Sequence, residues 1–273
     1  MNCWINGRRR TMVDCRDRGL QYGDGIFETM RVRSGQVRLL DLHLDRLYLG
    51  CRKLRIEAPA RPNLRRELVH LAGHRQDGIL KLIITRGSGP RGYRPSGNER
   101  CRRIAFLQSL PGGGSDDEAP VRLRVCTTAL GTNPALAGLK TLNRLESVLA
   151  RAEWSDARIW DGLMRDADGN VVSGSMSNLF LRRGATLTTP LLDRCGVAGV
   201  MRRWILQHAG DLGLRTAERR VRWSDLKSAE EVFMCNAVAG IRPVRSIAQA
   251  GGSTLKFGRR ETADRLRSLL DAQ

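Results

Sequence analysis

The chain has 273 residues, 41% of them hydrophobic and 27% charged, and a formal net charge of +19. This length suits one large domain or two modest ones, with enough apolar residues for a core. No apolar run is long enough to span a bilayer and the first residues lack a signal-peptide segment, so we expect a cytoplasmic protein with no membrane partner. Arginines are spread along the chain and aromatic residues make up only 5%, which argues against nucleic acid as a partner.

The seven cysteines are scattered and odd in number, at positions 3, 15, 51, 101, 126, 195 and 235. No two of them have the C-x-x-C spacing of a zinc or redox site. We therefore predict free thiols in a reducing compartment, and no metal site.

In chain order, the hydrophobic pattern first predicts short strands and two helices. The strands are expected at 2–6, 27–33, 37–40, 79–85 and 103–107, and the helices from a cap at Asp41 onwards and over 63–74. Residues 111–118, Pro-Gly-Gly-Gly-Ser-Asp-Asp-Glu, have a linker-like composition, and we place a domain boundary there.

Beyond this linker the pattern predicts mostly strands. They are expected at 121–126, 157–160, 171–172, 178–181, 186–188, 214–222, 231–235 and 241–246, with helices after Lys140 and over 199–209 and 259–270. Irregular alternation with many hairpin-like joins is typical of α+β proteins. We therefore predict an α+β fold with a small N-terminal α/β domain at 1–112 and a larger, β-rich C-terminal domain at 113–273.

Lys140 is the first candidate for a reactive side chain. The chain carries nearly all its positive charge on Arg, and Lys occurs only at 53, 81, 140, 227 and 256. Arg stays protonated, whereas Lys can be tuned to a neutral amine that forms a Schiff base. An apolar run at 134–139 precedes Lys140, and apolar residues recur after it at the helical positions 142, 145, 148 and 149. On this stretch alone, an ordinary solvated lysine remains the simpler interpretation.

Two further segments have the character of a phosphate site. Arg46 lies on the first predicted long helix and could supply a bidentate positive charge. Residues 196–202, Gly-Val-Ala-Gly-Val-Met-Arg, predict a glycine-flanked helix start, and free N–H groups at a helix N-terminus bind phosphate.

Together these segments resemble the fold-type IV, pyridoxal-phosphate-dependent enzymes, which include branched-chain aminotransferases, D-amino-acid transaminases and aminodeoxychorismate lyases. Five matching pieces occur in order at family spacing, and they are Q-Y-G-D-G-I-F-E at 21–28, T-R-G-S-G-P-R-G-Y at 85–93, L-K-T-L-N-R-L-E at 139–146, G-V-M-R at 199–202 and C-N-A at 235–237. The form around the lysine, with R-G-S-G-x-R-G-Y upstream, is most similar to the lyases.

The resemblance implies that the cofactor is pyridoxal 5′-phosphate and that Lys140 carries it and serves as acid and base. Arg46 would bind the cofactor phosphate, helped by backbone N–H groups at Val200, Met201 and Ala237. Arg91, Tyr93 and Phe27 would bind the substrate, and the first two occupy the place where D-amino-acid transaminases hold a carboxylate. Tyr93 in place of His, and Phe27 where those transaminases have Tyr, favour a reaction other than transamination.

One position departs from the family. The family usually places a Glu against the pyridine nitrogen of the cofactor, and the match through residues 177–180 puts Ser173 there. Asn178, from the same segment, belongs to the implied cofactor contacts. A carboxylate keeps the nitrogen protonated and makes the ring a strong electron sink, which a neutral serine does not. An elimination tolerates this loss, because aromatisation of its product supplies driving force.

The resemblance therefore implies a homodimeric lyase that converts 4-amino-4-deoxychorismate to 4-aminobenzoate and pyruvate in folate biosynthesis. This substrate is small and anionic, and the arginine-rich loop at 86–94 fits it in charge. Two alternatives remain. An aminotransferase for D- or branched-chain amino acids would convert the cofactor to its amine form with an amino donor. A cofactor-free basic protein that binds nucleic acid would lack the cofactor's absorbance.

Overall fold

The computed structural model describes residues 2–110, 119–249 and 251–272. The chain divides into two compact units, the first formed by Met1–Ser115 with Leu139–Asn143 and the second by Asp116–Gly138 with Arg144–Gln273. The predicted linker at 111–118, and with it the boundary at 112/113, lies outside the described residues. Sequence order assigns Lys140 to the C-terminal domain, whereas the structure groups it with the first unit.

The described part of the first unit contains one sheet of six strands, in the order β2-β1-β6-β5-β3-β4, in which all neighbours are antiparallel. Its elements are β1 Asn2–Ile5, β2 Arg8–Arg9, α1 Arg18–Tyr22, β3 Gly25–Arg33, β4 Gln36–Val37, α2 Leu40–Leu54, α3 Arg61–Ala72, β5 Gly78–Thr85 and β6 Arg102–Gln108. The short α1 and β2 were not predicted, because elements this short carry no measurable periodicity.

The core of the first unit lies against one face of this sheet. Side chains alternate along β3, and its inward residues Ile26 and Met30 pack in one cluster with Leu44 of α2 and Leu64 of α3. Each such buried side chain contributes roughly 1.5–3 kcal/mol. Glu28 has the same parity as these residues and is also buried, so a carboxylate lies on the apolar face of the sheet.

The segment that holds Lys140 is extended and pairs with β3. Strand β4 covers β3 only at Val32 and Arg33, which leaves the beginning of that edge open. Residues 139–143 occupy it, since the N–H of Phe27 donates to the carbonyl of Lys140 at 3.0 Å, and the N–H of Leu142 donates to the carbonyl of Gly25 at 3.0 Å. Backbone pairing therefore keeps Lys140 itself extended, and the predicted helix follows it.

The helix itself begins later, as α4 Leu145–Ala152 in the second unit. The helix predicted after Lys140 is therefore present, but its apolar residues are not buried. Leu145, Val148 and Leu149 are 76%, 60% and 60% exposed. The helical period of the pattern was correct, but the period alone does not say what covers the apolar face.

Helix α2 also starts differently from the prediction. Its N-cap is Leu39, which has a left-handed backbone (φ 55°) and makes no capping hydrogen bond through its side chain. Asp41, the predicted cap, lies in the first turn, where its charge favours the helix dipole. Its carboxylate accepts a hydrogen bond from Arg65 at 2.5 Å.

The second unit is richer in strands. Nine strands of its described part form a mixed sheet in the order β12-β11-β10-β13-β14-β7-β8-β9, with β15 paired to β14. Its elements are β7 Val121–Leu130, α4, β8 Ile159–Asp166, β9 Val171–Gly174, β10 Asn178–Arg183, β11 Thr186–Pro190, α5 Val200–His208, β12 Arg215–Arg219, α6 Trp223–Ser228, β13 Glu231–Asn236, β14 Gly240–Ala248, β15 Thr254–Lys256 and α7 Glu261–Asp271. The predicted α+β class is confirmed. In the ranges described, no helix combines the length and apolarity needed to cross a membrane.

Candidate active site

Lys140 lies over an aromatic ring. Its Nζ is 4.2 Å from the centroid of the Phe27 ring, on β3. A second ammonium, that of Lys81 on β5, lies 5.2 Å from the same centroid. An aromatic face attracts a cation at this range. Two of the five lysines of the chain thus meet at one ring. The sequence analysis assigned no role to Lys81, although the rarity of lysine in this chain could have pointed to it.

Arg46 is held by a buried carboxylate. Its Nε donates to Glu28 Oε1 at 2.8 Å and its Nη2 to Glu28 Oε2 at 2.5 Å, in a bidentate pair. His43, one helical turn earlier on α2, places Nδ1 2.6 Å from Glu28 Oε2. Glu28 and His43 are fully enclosed, and the side chain of Arg46 is 11% exposed. The motif at 21–28 contains Glu28, and the predicted helix that bears Arg46 contains His43, but the sequence analysis assigned neither residue a role.

The charges of this group follow from its contacts. Burial alone would raise the pKa of Glu28, but the charge and hydrogen bonds of Arg46, with the hydrogen bond of His43, lower it to about 2. Burial lowers the pKa of His43 against the opposing effect of Glu28. His43 is therefore neutral at pH 7 and donates its Nδ1 proton to Glu28. Its Nε2 is a buried acceptor with no hydrogen-bond partner among the described residues.

The loop between β5 and β6 carries the two predicted substrate-binding side chains. Arg91 is exposed, and the described residues offer its guanidinium no ion pair or hydrogen bond. Tyr93 is 86% exposed, and its ring meets the Tyr22 ring edge-on at 5.6 Å between centroids. Arg91 is thus an available bidentate donor for a carboxylate.

In the second unit, the start of α5 is open to an anion. Its N-cap Gly199 makes no side-chain hydrogen bond, so the first N–H groups, at Val200 and Met201, have no capping acceptor. A Cβ at Gly199 would lie 2.0 Å from Asn178 Oδ1, and Asn178 Nδ2 donates to the carbonyl of Val197 at 2.9 Å. Asn178 therefore fixes the loop that leads into the helix, and only glycine fits beside it.

Ala237 lies in the turn between β13 and β14. Asn236 Oδ1 accepts the N–H groups of Val238 and Ala239 at 3.0 and 2.7 Å, and no acceptor is seen for the N–H of Ala237 in the described chain. The register of the sheet pairs Asn178 with Cys235, two residues before Ala237. The second unit thus brings Ala237, Asn178 and the start of α5 into one region.

Ser173 is buried on β9. Its Oγ donates to the carbonyl of Gly174 at 2.8 Å, so its proton is already engaged and its lone pairs remain. The adjoining turn surrounds Asp161 of β8, which accepts hydrogen bonds from Ser175 Oγ and Ser177 Oγ, both at 2.6 Å. Burial raises the pKa of Asp161 in spite of these hydrogen bonds. Sequence analysis did not single out Asp161, because it lies twelve residues before Ser173 on a neighbouring strand.

Comparisons with known proteins show which family the chain resembles. Residues 25–247 match the family model of amino-transferase class IV. Aminodeoxychorismate lyase from Vibrio harveyi is 35% identical over 246 residues, which cover 90% of this chain and 91% of that protein. D-alanine aminotransferase from Bacillus licheniformis is 29% identical, with 94% and 91% covered. The crystal structure of 4-amino-4-deoxychorismate lyase from Pseudomonas aeruginosa has a TM-score of 0.91 and 47% identity, over 98% of this chain and 99% of that one.

The fold and the family match define a fold-type IV enzyme that depends on pyridoxal phosphate. The chain belongs to the aminotransferase class IV family. The predicted resemblance, the predicted fold class and the predicted cofactor are thereby confirmed.

The residues of the first unit fit this cofactor. Lys140 offers an amine for its aldehyde, and Arg46 offers a charge, aimed by Glu28, for its phosphate. The orphaned Nε2 of His43 is an acceptor whose burial without a partner costs roughly 1–3 kcal/mol, a cost that a bound ligand or water removes. A closed structural core has no reason to leave this atom without a partner, whereas a binding site does.

Proposed function

We propose that this chain is a lyase that converts 4-amino-4-deoxychorismate to 4-aminobenzoate and pyruvate with pyridoxal 5′-phosphate. The observation that carries the proposal is the likeness, over nearly the whole of both chains, to the lyase of known structure from Pseudomonas aeruginosa. The loop chemistry supports it, because the substrate has two carboxylates and Arg91 is a cation without a partner among the described residues.

Lys140 is the proposed catalytic residue. When bound, the cofactor withdraws electrons from the carbon that bears the substrate amine and so makes its proton acidic. Lys140 Nζ removes this proton as a general base. The carbon–oxygen bond to the enolpyruvyl group then breaks and the ring becomes aromatic. The three-carbon group leaves as enolpyruvate, which takes up the equivalent of the removed proton on its CH2 carbon and so becomes pyruvate. The Phe27 ring beneath Nζ excludes water from one side of the amine.

The remaining residues bind and orient. Arg46 holds the cofactor phosphate, and Glu28 fixes the plane of its guanidinium. In the second unit, the N–H groups of Val200, Met201 and Ala237 are the further proposed phosphate donors, with Asn178 positioning the loop before α5. Arg91 and Tyr93 bind a substrate carboxylate. Ser173 is the proposed contact of the cofactor ring, and as a neutral group it favours elimination over transamination.

The test is turnover by the purified protein loaded with pyridoxal 5′-phosphate. With 4-amino-4-deoxychorismate, 4-aminobenzoate and pyruvate should appear in equal amounts. With D-alanine or L-leucine alone, the lysine-bound cofactor absorbance should persist, because conversion to the amine form is slow. Rapid loss of this absorbance together with no 4-aminobenzoate would refute the lyase and favour an aminotransferase.

We further propose that the protein is a homodimer and that a second copy covers the α4 face. Leu145, Val148 and Leu149 expose an apolar surface that isolated monomers rarely leave open. Val148→Asp should give a monomer by light scattering. Val69→Asp, at an apolar residue of α3 that is 51% exposed, is the matched control and should leave the dimer intact. A wild-type monomer, or a dimer that survives Val148→Asp, would contradict this interface.

We propose the cytoplasm as the compartment. All seven cysteines are free in the structure, which suits reducing conditions. Cell fractionation with an antibody to the protein tests this, and recovery in an oxidising or membrane fraction would contradict it.

A further inference from the structure

Arg18 is a buried arginine that donates hydrogen bonds to the loop between β5 and β6, which carries Arg91 and Tyr93. It is 2% exposed, and its Nε donates to Asp24 Oδ2 at 3.0 Å. Its Nη1 donates to the carbonyl of Gly92 at 2.8 Å and its Nη2 to the carbonyl of Tyr93 at 2.9 Å. The guanidinium carbon lies 4.9 Å from the centroid of the Tyr22 ring. One planar group thus joins α1 to two consecutive residues of the loop that is 74 residues further along the chain.

The backbone holds only the beginning of this loop. The N–H of Arg18 donates to the carbonyl of Gly87 at 2.8 Å, and the N–H of Gly89 donates to the carbonyl of Arg16 at 3.4 Å. Gly92, by contrast, is held by side chains of α1. Its carbonyl accepts a hydrogen bond from Arg18, and its N–H donates to the Tyr22 hydroxyl at 3.1 Å. The part of the loop next to Arg91 therefore depends on side chains, and chiefly on Arg18.

Asp24 links Arg18 to the rest of the first unit. Its carboxylate also accepts hydrogen bonds from Arg86, from Nε at 2.8 Å and from Nη2 at 3.1 Å. Arg86 donates in addition to the carbonyls of Leu54 and Arg55 at the end of α2, both at 2.7 Å. The two arginines share one carboxylate, so the loop is tied through Asp24 to the helix that bears Arg46.

We infer that Arg18 is a positioning residue for substrate recognition, and that it fixes Gly92 and Tyr93 so that Arg91 and Tyr93 meet the substrate carboxylate in a preformed geometry. This inference rests on the proposed function. Arg18 is a positioning residue and not a catalytic one, because each of its three guanidinium nitrogens already donates to Asp24 or to one of the two loop carbonyls. A lysine retains the charge but concentrates its donors on one atom, and one atom does not span the carboxylate and both carbonyls.

The first test does not require activity. Trypsin cleaves after Arg91, at the peptide bond to Gly92, only when this part of the loop opens. Arg18→Lys should raise the rate of this cleavage in the holoenzyme on the order of ten-fold, because two charge-assisted hydrogen bonds are lost. Tyr22→Phe, which removes the acceptor of the Gly92 N–H, should raise it less. Arg31→Lys, at a buried arginine of β3 that pairs with Asp77, is the matched control and should leave it unchanged.

The second test separates binding from chemistry. Arg18→Lys should raise KM for 4-amino-4-deoxychorismate on the order of ten-fold and leave kcat within about two-fold, as expected when uniform substrate binding is lost. Its lysine-bound cofactor absorbance should equal that of the wild type. Tyr22→Phe supplies the same test with a smaller effect should Arg18→Lys fail to fold.

The outcomes distinguish this inference from the proposed function. Unchanged tryptic cleavage and unchanged KM in both variants of an active enzyme overturn the positioning role. A proportional loss of kcat with normal KM also overturns it, because it places Arg18 in the chemistry. Absence of lyase turnover in the wild type overturns the proposed function, and the cleavage rates then still decide whether Arg18 holds the loop.

Discussion

Replacing Glu28 by Gln tests the buried charge group at the proposed cofactor site. The pKa of Glu28 is about 2 in the folded protein against 4.5 for an ordinary glutamate, because Arg46 and His43 outweigh burial. This difference corresponds to roughly 3 kcal/mol of folding free energy at pH 7. Glutamine keeps the shape of the side chain but not its charge, so Glu28→Gln should be destabilised by about this amount.

The sign of the pH dependence is fixed by the lowered pKa. A carboxylate with a depressed folded-state pKa stabilises the protein above its unfolded value of 4.5, and this contribution is lost as the pH falls towards about 2. The difference in free energy of unfolding between wild type and Glu28→Gln should therefore shrink to roughly half of its pH 7 value by pH 3. The lowered pKa of His43 makes both proteins less stable as the pH falls below its ordinary value of 6.5. Because Glu28 opposes this lowering, the two proteins also differ in the pKa of His43, and the difference at pH 7, where His43 is neutral in both, is the one that reports Glu28.

The assay is urea unfolding of both proteins, free of cofactor, at pH 7, 5 and 3. Glu67→Gln is the control, since Glu67 pairs with Arg103 at 2.9 Å in the same unit but both side chains are partly exposed, so the pair should be worth roughly 1 kcal/mol or less. Equal stability of Glu28→Gln and wild type at pH 7, or a gap that does not change between pH 5 and 3, would refute the reasoning.

Three further predictions concern the cofactor. Lys140→Ala should abolish lyase turnover and the adduct reduced by borohydride, and an adduct that maps to Lys81 in that variant would show that the neighbouring amine substitutes for it. Arg46→Lys keeps a charge beside Glu28 but loses the planar arrangement of donors, so the Kd of the cofactor should rise about ten-fold. An unchanged Kd, measured by absorbance titration, would show that Arg46 does not bind the cofactor phosphate. Ser173→Glu should raise slow transamination of D-alanine relative to 4-aminobenzoate formation, and a constant ratio of the two rates would mean that Ser173 does not tune the ring.

The parts of the site that the sequence predicts are those with a local signature. Lys140 stands out because lysine is rare in this chain, and the start of α5 stands out because glycines flank it. The α+β class follows from the spacing of strands and helices along the chain. Each of these signals is contained in the residue types and their order along the chain, without knowledge of which segments pair.

The parts that the sequence does not predict depend on pairing across the sheet. Glu28 meets Arg46 and His43 because β3 packs against α2, and the alternation of side chains along β3 gives Glu28 the same inward parity as its apolar neighbours. In a sequence read by alternation alone, a charged residue at the inward position of Glu28 indicates a break in the strand. The extended form of the Lys140 segment has a similar origin, since it depends on how far β4 covers the edge of β3.

The proposed role of Ser173 depends on both the sequence and the structure. The sequence predicts a neutral group where the family has a carboxylate, and the structure adds that the serine proton is engaged by Gly174. Ser173 therefore presents an acceptor to any partner, and an acceptor is matched by a protonated pyridine nitrogen better than by a bare one. A weak acceptor without charge holds that proton far less firmly than a glutamate does. At the proposed contact with Ser173, the cofactor ring would retain enough electron demand for a leaving group that departs at once, but not for the long-lived charge that transamination requires. Ser173→Glu should abolish this intermediate strength.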